Sequence, residues 1–216
     1  MPVLLDGQPL DVASPGLAGV LDAGRARAEA SGRVIVEVVI DGEPAGADLL
    51  DNPTDEAVDG ADIRLASADP VTLVASALSD AADALEAAGP GHAEIAANFQ
   101  AGEQQAALAA LGETLHLWQV AQDVFAQGWT LLGRDPLRLP MPADSGYDDA
   151  EAMIHGLVTQ LHEIRRALGD SDFTAVADVV GYELEPMAAR WARVLRSAAE
   201  AARSQDGGPG PESAAS

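Results

Sequence analysis

The sequence predicts an α+β protein, with a small β-rich module in residues 1–69, an antiparallel four-helix-type bundle in residues 70–204 and a disordered tail in residues 205–216. Two copies of Asp-Gly-x-Pro lie among β-type residues in the first module. Beyond Asp69, apolar residues recur at helical spacing without strand-like alternation. Hydrophobic residues make up 48% of the 216 positions, which is enough for a buried core. The tail is rich in Ser, Gly, Pro and Glu, a composition typical of disorder.

The first module begins with a predicted hairpin and a helix. Asp6-Gly7 lies between two short apolar runs, and Asp-Gly tolerates the positive φ angles that tight hairpin turns require. Ser14-Pro15 then predicts a helix N-cap followed by a first-turn proline. An apolar face carries the helix to about Ser31, where Gly32 predicts its end. That face consists of Leu17, Val20, Leu21 and Ala28.

The remaining strands of this module follow the helix. The β-branched run of residues 33–40 is the strongest strand signal and predicts a central strand. A second turn, Asp41-Gly42, follows, residues 45–61 predict an acidic loop, and the alternating residues 62–67 predict the last strand. This order resembles the β-grasp (ubiquitin-like) fold, in which one helix packs across a mixed sheet. The resemblance implies a second docking surface, which we expect at a sheet edge.

The second module opens at Asp69-Pro70, which predicts an N-cap and a first-turn proline. Its first helix is predicted to end at Gly89-Pro90-Gly91, and a short helix over residues 92–100 to follow. After Gly102, a heptad-type row predicts a long helix. The row consists of Leu108, Leu111, Leu115, Trp118, Phe125, Trp129 and Leu132. Polar Gln122 interrupts the row, which indicates either a device that sets helix register or a hydrated groove.

Two further helices complete the predicted bundle. Residues 133–147 contain three prolines and predict a crossover loop. The next helix carries a similar apolar row, at Ile154, Leu157, Leu161, Ile164 and Leu168. Gly169-Asp170-Ser171 predicts its end and a new cap, and Pro186 predicts a kink in the last helix. That helix carries Phe173, Val176, Val180, Leu184, Met187, Trp191 and Val194.

Charge and composition exclude several classes of function. The formal net charge is −23 and both modules are acidic, so no basic patch is available for a phosphate backbone or an anionic membrane. We therefore expect neither nucleic acid nor membrane as a partner. The chain has no cysteine, and all 12 basic residues are arginine, which excludes thiolate sites and lysine nucleophiles. Without a signal peptide or a membrane span, and with a composition typical of a GC-rich bacterial genome, the expected location is the bacterial cytoplasm.

The four histidines are the first candidates for chemistry: His92, His116, His155 and His162. His155 and His162 lie on one helix face, and Glu151 precedes His155 by four residues, as in a pair of metal ligands. The Glu-x-x-His motifs of di-iron bundles are missing, however, so ordinary surface histidines are predicted. No nucleophile elbow and no glycine-rich phosphate loop occurs. The sequence thus predicts no catalytic residue, no cofactor and no metal.

Residues 72–198 resemble the flagellin-export chaperone family, small acidic all-helical proteins that hold an unfolded flagellin tail along their helices. The shared features include the pattern Ala-Gly-Glu-x-x-x-Ala-Leu-x-x-Leu-x-x-x-Leu from Ala101 to Leu115 and a crossover loop. A helix pair separated by Gly169-Asp170-Ser171-Asp172-Phe173 and a tryptophan near the end of the last helix, Trp191, also match. The resemblance implies a chaperone. In place of that family's N-terminal tyrosine motif, this chain has its β-rich module.

The aromatic residues are the candidate partner-binding residues: Trp118, Phe125, Trp129 and Trp191. Their heptad positions favour the core, and the alternative is that one end of the row lines a groove for a partner helix. We expect a non-catalytic protein-binding protein, a chaperone or adaptor, that holds a client helix or disordered segment. The alternatives are a self-assembling structural subunit and an enzyme that uses His155 or His162 with a carboxylate between the modules.

Overall fold

A computed structural model describes residues 3–13, 16–53 and 61–204 and confirms the α+β class. A five-stranded mixed sheet precedes a helical region, and the chain divides into two compact units, Met1–Leu73 and Val74–Ser216. The sequence-based boundary, after residue 69, lies close to this division. The predicted cap at Ser14-Pro15 and the predicted tail lie outside the described residues.

The sheet of the N-terminal unit contains β1 (Val3–Leu5), β2 (Gln8–Pro9), β3 (Val34–Ile40), β4 (Glu43–Pro44) and β5 (Ile63–Ala68). Its order is β2-β1-β5-β3-β4; β1 pairs with β5 in parallel and the other neighbours are antiparallel. Both predicted hairpin turns are confirmed. Asp6 and Gly7 have φ angles of 50° and 76°, and Asp41 and Gly42 have φ angles of 52° and 89°. Positive φ at both central residues is the requirement of a type I′ turn.

Helix α1 (Leu17–Glu29) packs against this sheet as predicted. Its buried residues share a core with residues of the strands, among them Val38, Ile63 and Leu65. A Cβ on Gly24 would lie 2.5 Å from Leu65 Cδ1, so this glycine permits the close approach of helix and sheet. Two details differ from the prediction. The central strand is β5 rather than β3, and the predicted acidic loop contains a short helix, α2 (Ala47–Asp51).

Both edges of the sheet are short and end in proline. The edge strands β2 and β4 have two residues each, with Pro9 and Pro44 in the second position, and all four residues are exposed. Proline has no N–H group to donate to a further strand. Each edge strand therefore has a single backbone donor, which argues against the sheet edge as a docking surface.

The predicted break at Gly89-Pro90-Gly91 is wrong. Helix α3 (Pro70–Gln100) continues through these residues and includes the predicted short helix. Its start is as predicted: the Asp69 carboxylate accepts hydrogen bonds from the amide and hydroxyl groups of Thr72, at 2.7 and 2.5 Å. Pro90 removes one backbone hydrogen bond. Leu85 and Ile95, on either side of it, are both buried in one hydrophobic core, and we attribute the continuity of the helix to this packing.

The other helices are α4 (Gln104–Leu131), a 3-10 turn (Pro136–Arg138), α5 (Ala150–Gly169), α6 (Phe173–Asp178), a π-helix (Val179–Leu184) and α7 (Glu185–Ser204). The 3-10 turn lies in the predicted crossover loop. The cap predicted at residues 169–171 is supplied by Asp172, whose carboxylate accepts from the Ala175 amide at 3.0 Å. The π-helix directly precedes α7, whose second residue is Pro186, and the Glu185 amide donates to the Val180 carbonyl five residues earlier. The disruption expected from Pro186 thus takes the form of a π-helix.

Candidate partner-binding groove

All four predicted aromatic binding residues lie in the core of the C-terminal unit. Trp118 and Trp191 are 0% exposed, Phe125 is 1% and Trp129 is 3% exposed. The Trp118 and Trp191 rings meet edge to face, with centroids 5.7 Å apart, and Phe125 lies 6.4 Å from Trp191. Such aromatic contacts stabilise a core. The core interpretation of these residues therefore fits the structure, and direct contact between them and a partner does not fit their burial.

Between Leu108 and Phe125, the heptad row of α4 separates into a closed line and an open line, whereas Trp129, the next position of the open line, is buried. Leu111, Trp118 and Phe125, seven residues apart, are buried. The alternating positions, Leu108, Leu115 and Gln122, are also seven apart, but Leu108 is 42% exposed and the other two are half-buried. We call these three residues the open row of α4.

Helix α5 repeats this arrangement. Leu157 and Ile164 are buried, whereas the alternating positions Ile154, Leu161 and Leu168 are half-buried. We call these three residues the open row of α5. In a complete coiled coil, both kinds of heptad position insert between residues of a facing helix. On both α4 and α5, one kind of heptad position is therefore incompletely covered.

A groove of about 470 Å³ lies where the two open rows meet. We call it the α4–α5 groove; its lining residues are Leu115, Gln119, Gln122, Leu161, Ile164, Arg165 and Leu168. The groove thus lies between the middle of α4 and the second half of α5. Gln122, predicted to mark either a register device or a hydrated groove, lies in this lining.

The polar side chains of the α4–α5 groove are available to a ligand. Gln119, Gln122 and Arg165 make no side-chain hydrogen bond to any residue that the structure describes. Arg165 differs in this from the adjacent Arg166, whose guanidinium lies 3.0 Å from Glu163 and 3.2 Å from Asp170. The groove therefore combines an apolar floor with one cation and two amide groups, and no acidic residue lines it.

A second open pocket, of about 630 Å³, lies at the start of α5. Its lining residues are Leu137, Asp149, Glu151, Ala152, Ile154, His155 and Val158. This pocket brings the candidate His155 together with two carboxylates. The Asp149 carboxylate is used as the N-cap of α5, where it accepts from the Ala152 amide at 2.7 Å. Among the described residues, neither hydrogen bonds nor ion pairs join His155 to Asp149 or Glu151, so the pocket contains no formed acid–base pair.

The histidines divide into three exposed residues and one buried residue. His116, His155 and His162 are exposed, as predicted, but His92 is fully buried in the middle of α3. Its Nδ1 lies 2.9 Å from the Ala88 carbonyl, and Trp118 Nε1 donates to its Nε2 at 3.3 Å. Because indole only donates and a carbonyl only accepts, this network requires a neutral imidazole with its proton on Nδ1. Burial lowers the pKa of His92, against the opposing influences of the Ala88 and Gly89 carbonyls and Glu185.

The described residues also bear on metal binding and membrane insertion. In the ranges that the structure describes, no three His, Cys, Asp or Glu side chains come together in a way that would hold a metal ion. None of the described helices combines the length and the apolar character needed to span a membrane. Comparisons with protein-family models, with curated proteins and with solved structures gave no significant match.

Proposed function

We propose that this chain is a non-catalytic protein-binding protein of the bacterial cytoplasm, a chaperone or adaptor, that holds one amphipathic helix of a client in the α4–α5 groove. The observation that carries the proposal is the pair of open rows that meet in this groove. A client helix with apolar residues at heptad spacing would complete their packing. The client segment would fold as it binds if it is disordered when free.

The character of the lining supports a helix rather than a small molecule as the ligand. Leu115, Leu161 and Leu168 lie along two helix faces instead of around an enclosed cavity. Each is half-buried already, so a bound helix would gain the remaining part of the roughly 1.5–3 kcal/mol that full burial of a leucine contributes. Gln119, Gln122 and Arg165 add polar groups that would select among apolar helices.

The proposal is tested by removing the apolar floor of the groove. We expect the double variant Leu115→Ser/Leu161→Ser to bind its client at least about tenfold more weakly, because two anchor side chains are lost. The client is first captured by the immobilised full chain from a lysate of the organism that encodes it. The captured segment is then titrated by calorimetry against wild type and variants.

The matched control is Val120→Ser/Leu131→Ser, which removes two exposed apolar side chains of α4 that do not line the groove. Circular dichroism should show that both double variants retain native helicity. Equal affinity of the two variants for the client would rule out the groove as its site. Association of the chain with itself, measured by sedimentation and lost in Leu115→Ser/Leu161→Ser, would favour a self-assembling subunit instead.

A further inference from the structure

We infer that the client helix lies antiparallel to α5, with an acidic residue near its own N-terminus and basic residues near its C-terminus. This inference rests on the proposed function and specifies the partner. It follows from the length of the exposed face of α5 and from the distribution of charge along it.

The two pockets follow one another along α5 and share no lining residue. The first pocket contains Glu151, Ile154, His155 and Val158, and the α4–α5 groove continues from Leu161 through Arg165 to Leu168. These positions recur at intervals of three and four residues, which places them on adjoining faces of one helix. From Glu151 to Leu168 the face is about 26 Å long at 1.5 Å per residue. It would accommodate a client helix of about 17 residues, or nearly five turns.

Charge is distributed unequally along this face. Asp149 and Glu151 lie at the N-terminal end of α5, and in the described residues neither carboxylate forms an ion pair. Arg165, also without an ion pair to any described residue, lies toward the C-terminal end. Between these ends lies the open row of α5. A bound helix therefore meets negative charge at one end and positive charge at the other.

The direction of the client follows from the charges that helices favour. Acidic residues stabilise the first turn of a helix and basic residues the last turn, because of the helix macrodipole. A client helix with this distribution fits the face only if its last turns lie over Asp149 and Glu151 and its first turns lie over Arg165. That orientation is antiparallel to α5, and it also opposes the two helix dipoles favourably. The net charge of −23 further attracts the basic end of the client.

The experiment uses the full chain and two fluorescently labelled 18-residue amphipathic peptides, both acetylated and amidated, with leucines at heptad spacing. One peptide has Glu in its first turn and Arg in its last turn, and the other has these charges exchanged. Anisotropy titrations give both affinities for wild type and for the exchange variant Glu151→Arg/Arg165→Glu. We expect wild type to prefer the first peptide by roughly fivefold, and the variant to move the ratio of affinities toward the second peptide by about tenfold, since two exposed ion pairs are exchanged.

Any difference in helicity between the two free peptides contributes equally to the affinity ratio of wild type and to that of the variant. It therefore cancels when the two ratios are compared. The control variant Glu200→Arg/Arg203→Glu makes the same exchange on α7, away from both pockets, and should leave the ratio unchanged. A ratio that the Glu151/Arg165 exchange does not move would overturn the orientation while leaving the groove as the binding site. Failure of both peptides to bind even at millimolar concentration would overturn the proposed function and this inference together. Concentration-dependent dimers of the chain that compete with the peptides would identify a second copy as the occupant and overturn the inference.

Discussion

His92 combines full burial with a group that titrates near neutral pH. Protonation would place a charge in the core and would remove the lone pair on Nε2 that accepts from Trp118. Both effects oppose protonation in the folded state, whereas in the unfolded state the imidazole has its ordinary pKa of about 6.5. The contact therefore links the protonation of one side chain to the stability of the C-terminal unit.

We expect the free energy of unfolding to fall as the pH drops below about 6.5, down to the lowered pKa of folded His92. In this window the unfolded state binds more protons than the folded state, so acid favours unfolding, by at most about 1.4 kcal/mol per pH unit for one group. Urea titrations at several pH values between 7.5 and 5, followed by tryptophan fluorescence, measure the effect. His92→Gln, which keeps an acceptor for Trp118 but does not titrate, should remove this slope, and His116→Gln should keep it. An unchanged slope in His92→Gln would contradict the expectation.

Two carboxylates, those of Asp6 and Asp69, affect stability at lower pH than His92 does. Hydrogen bonds from the Ser67 hydroxyl and amide lower the pKa of Asp6, and hydrogen bonds from the Thr72 hydroxyl and amide lower the pKa of Asp69. For a lowered carboxyl pKa, stability is present above the unfolded value of about 3.9 and is lost as the pH falls through the folded value. Measurements above pH 5 thus keep the titration of these two carboxylates out of the comparison.

At the scale of single elements, two glycines of α4 have opposite roles. Gly112 has open space where a Cβ would lie, whereas a Cβ on Gly128 would lie 2.9 Å from Val74 Cγ1 on α3. We expect Gly112→Ala to stabilise the chain by about 0.5–1 kcal/mol, because alanine is the better helix former. The same change at Gly128 should destabilise it by about 1–3 kcal/mol, because α3 and α4 must separate or repack. Urea unfolding of both variants checks the pair, and equal effects would contradict the assigned role of Gly128.

The π-helix keeps the buried face of the last helical segment continuous. Val176 before the π-helix, Val180 and Leu184 within it and Met187 after it are all buried. The π-helix, closed by a hydrogen bond over five residues, accommodates one residue more than a regular α-helical turn. Tyr182, 72% exposed, lies in this segment.

We expect removal of Tyr182 together with Pro186→Ala to convert the segment into a regular α-helix and to leave α7 in register. The proline is replaced because it would cost about 3 kcal/mol inside an α-helix. Removal of the exposed Ala189 with Pro186→Ala is the matched control, and it should rotate Trp191 out of the core and unfold the unit. Thermal unfolding monitored by tryptophan fluorescence distinguishes the two. Comparable destabilisation by both deletions would contradict this account of the π-helix.

What the sequence could predict depended on how locally each feature is determined. The Asp-Gly turns and the Asp69 cap depend on neighbouring residues, and both were confirmed. The continuity of α3 through Pro90 depends on packing between distant segments, so the local signal for a break was misleading, and the burial of His92 was missed with it. Heptad spacing likewise located the rows of α4 and α5. It could not tell which line of each row is covered, because periodicity gives the spacing of residues along a helix and not their neighbours in space. The place of Arg165 in the groove lining had no sequence signal.

At the scale of the whole molecule, the two hydrophobic cores have no residue in common. All three tryptophans lie in the C-terminal unit, so their fluorescence reports on that unit alone, whereas far-UV circular dichroism reports on both. We therefore expect the two probes to give transitions that do not coincide in urea, as for other chains with separate cores.

Matched core variants test this expectation. Leu17→Ala and Leu157→Ala each remove a fully buried leucine side chain, one from each unit, at a cost of about 2–5 kcal/mol. Leu17→Ala should leave the fluorescence midpoint unchanged, and Leu157→Ala should lower it. A fluorescence midpoint that falls equally in both variants would mean that the chain unfolds as one cooperative unit.

The prolines at the two sheet edges also affect how the chain behaves in a crowded solution. With Pro9 at one edge and Pro44 at the other, the sheet of one molecule offers little to which the sheet of the next could add, and growth into a fibre is blocked in both directions. Chains with a net charge of −23 also repel one another, which further opposes fibre growth. Such a chain can keep an apolar groove open to solvent while its sheets do not polymerise.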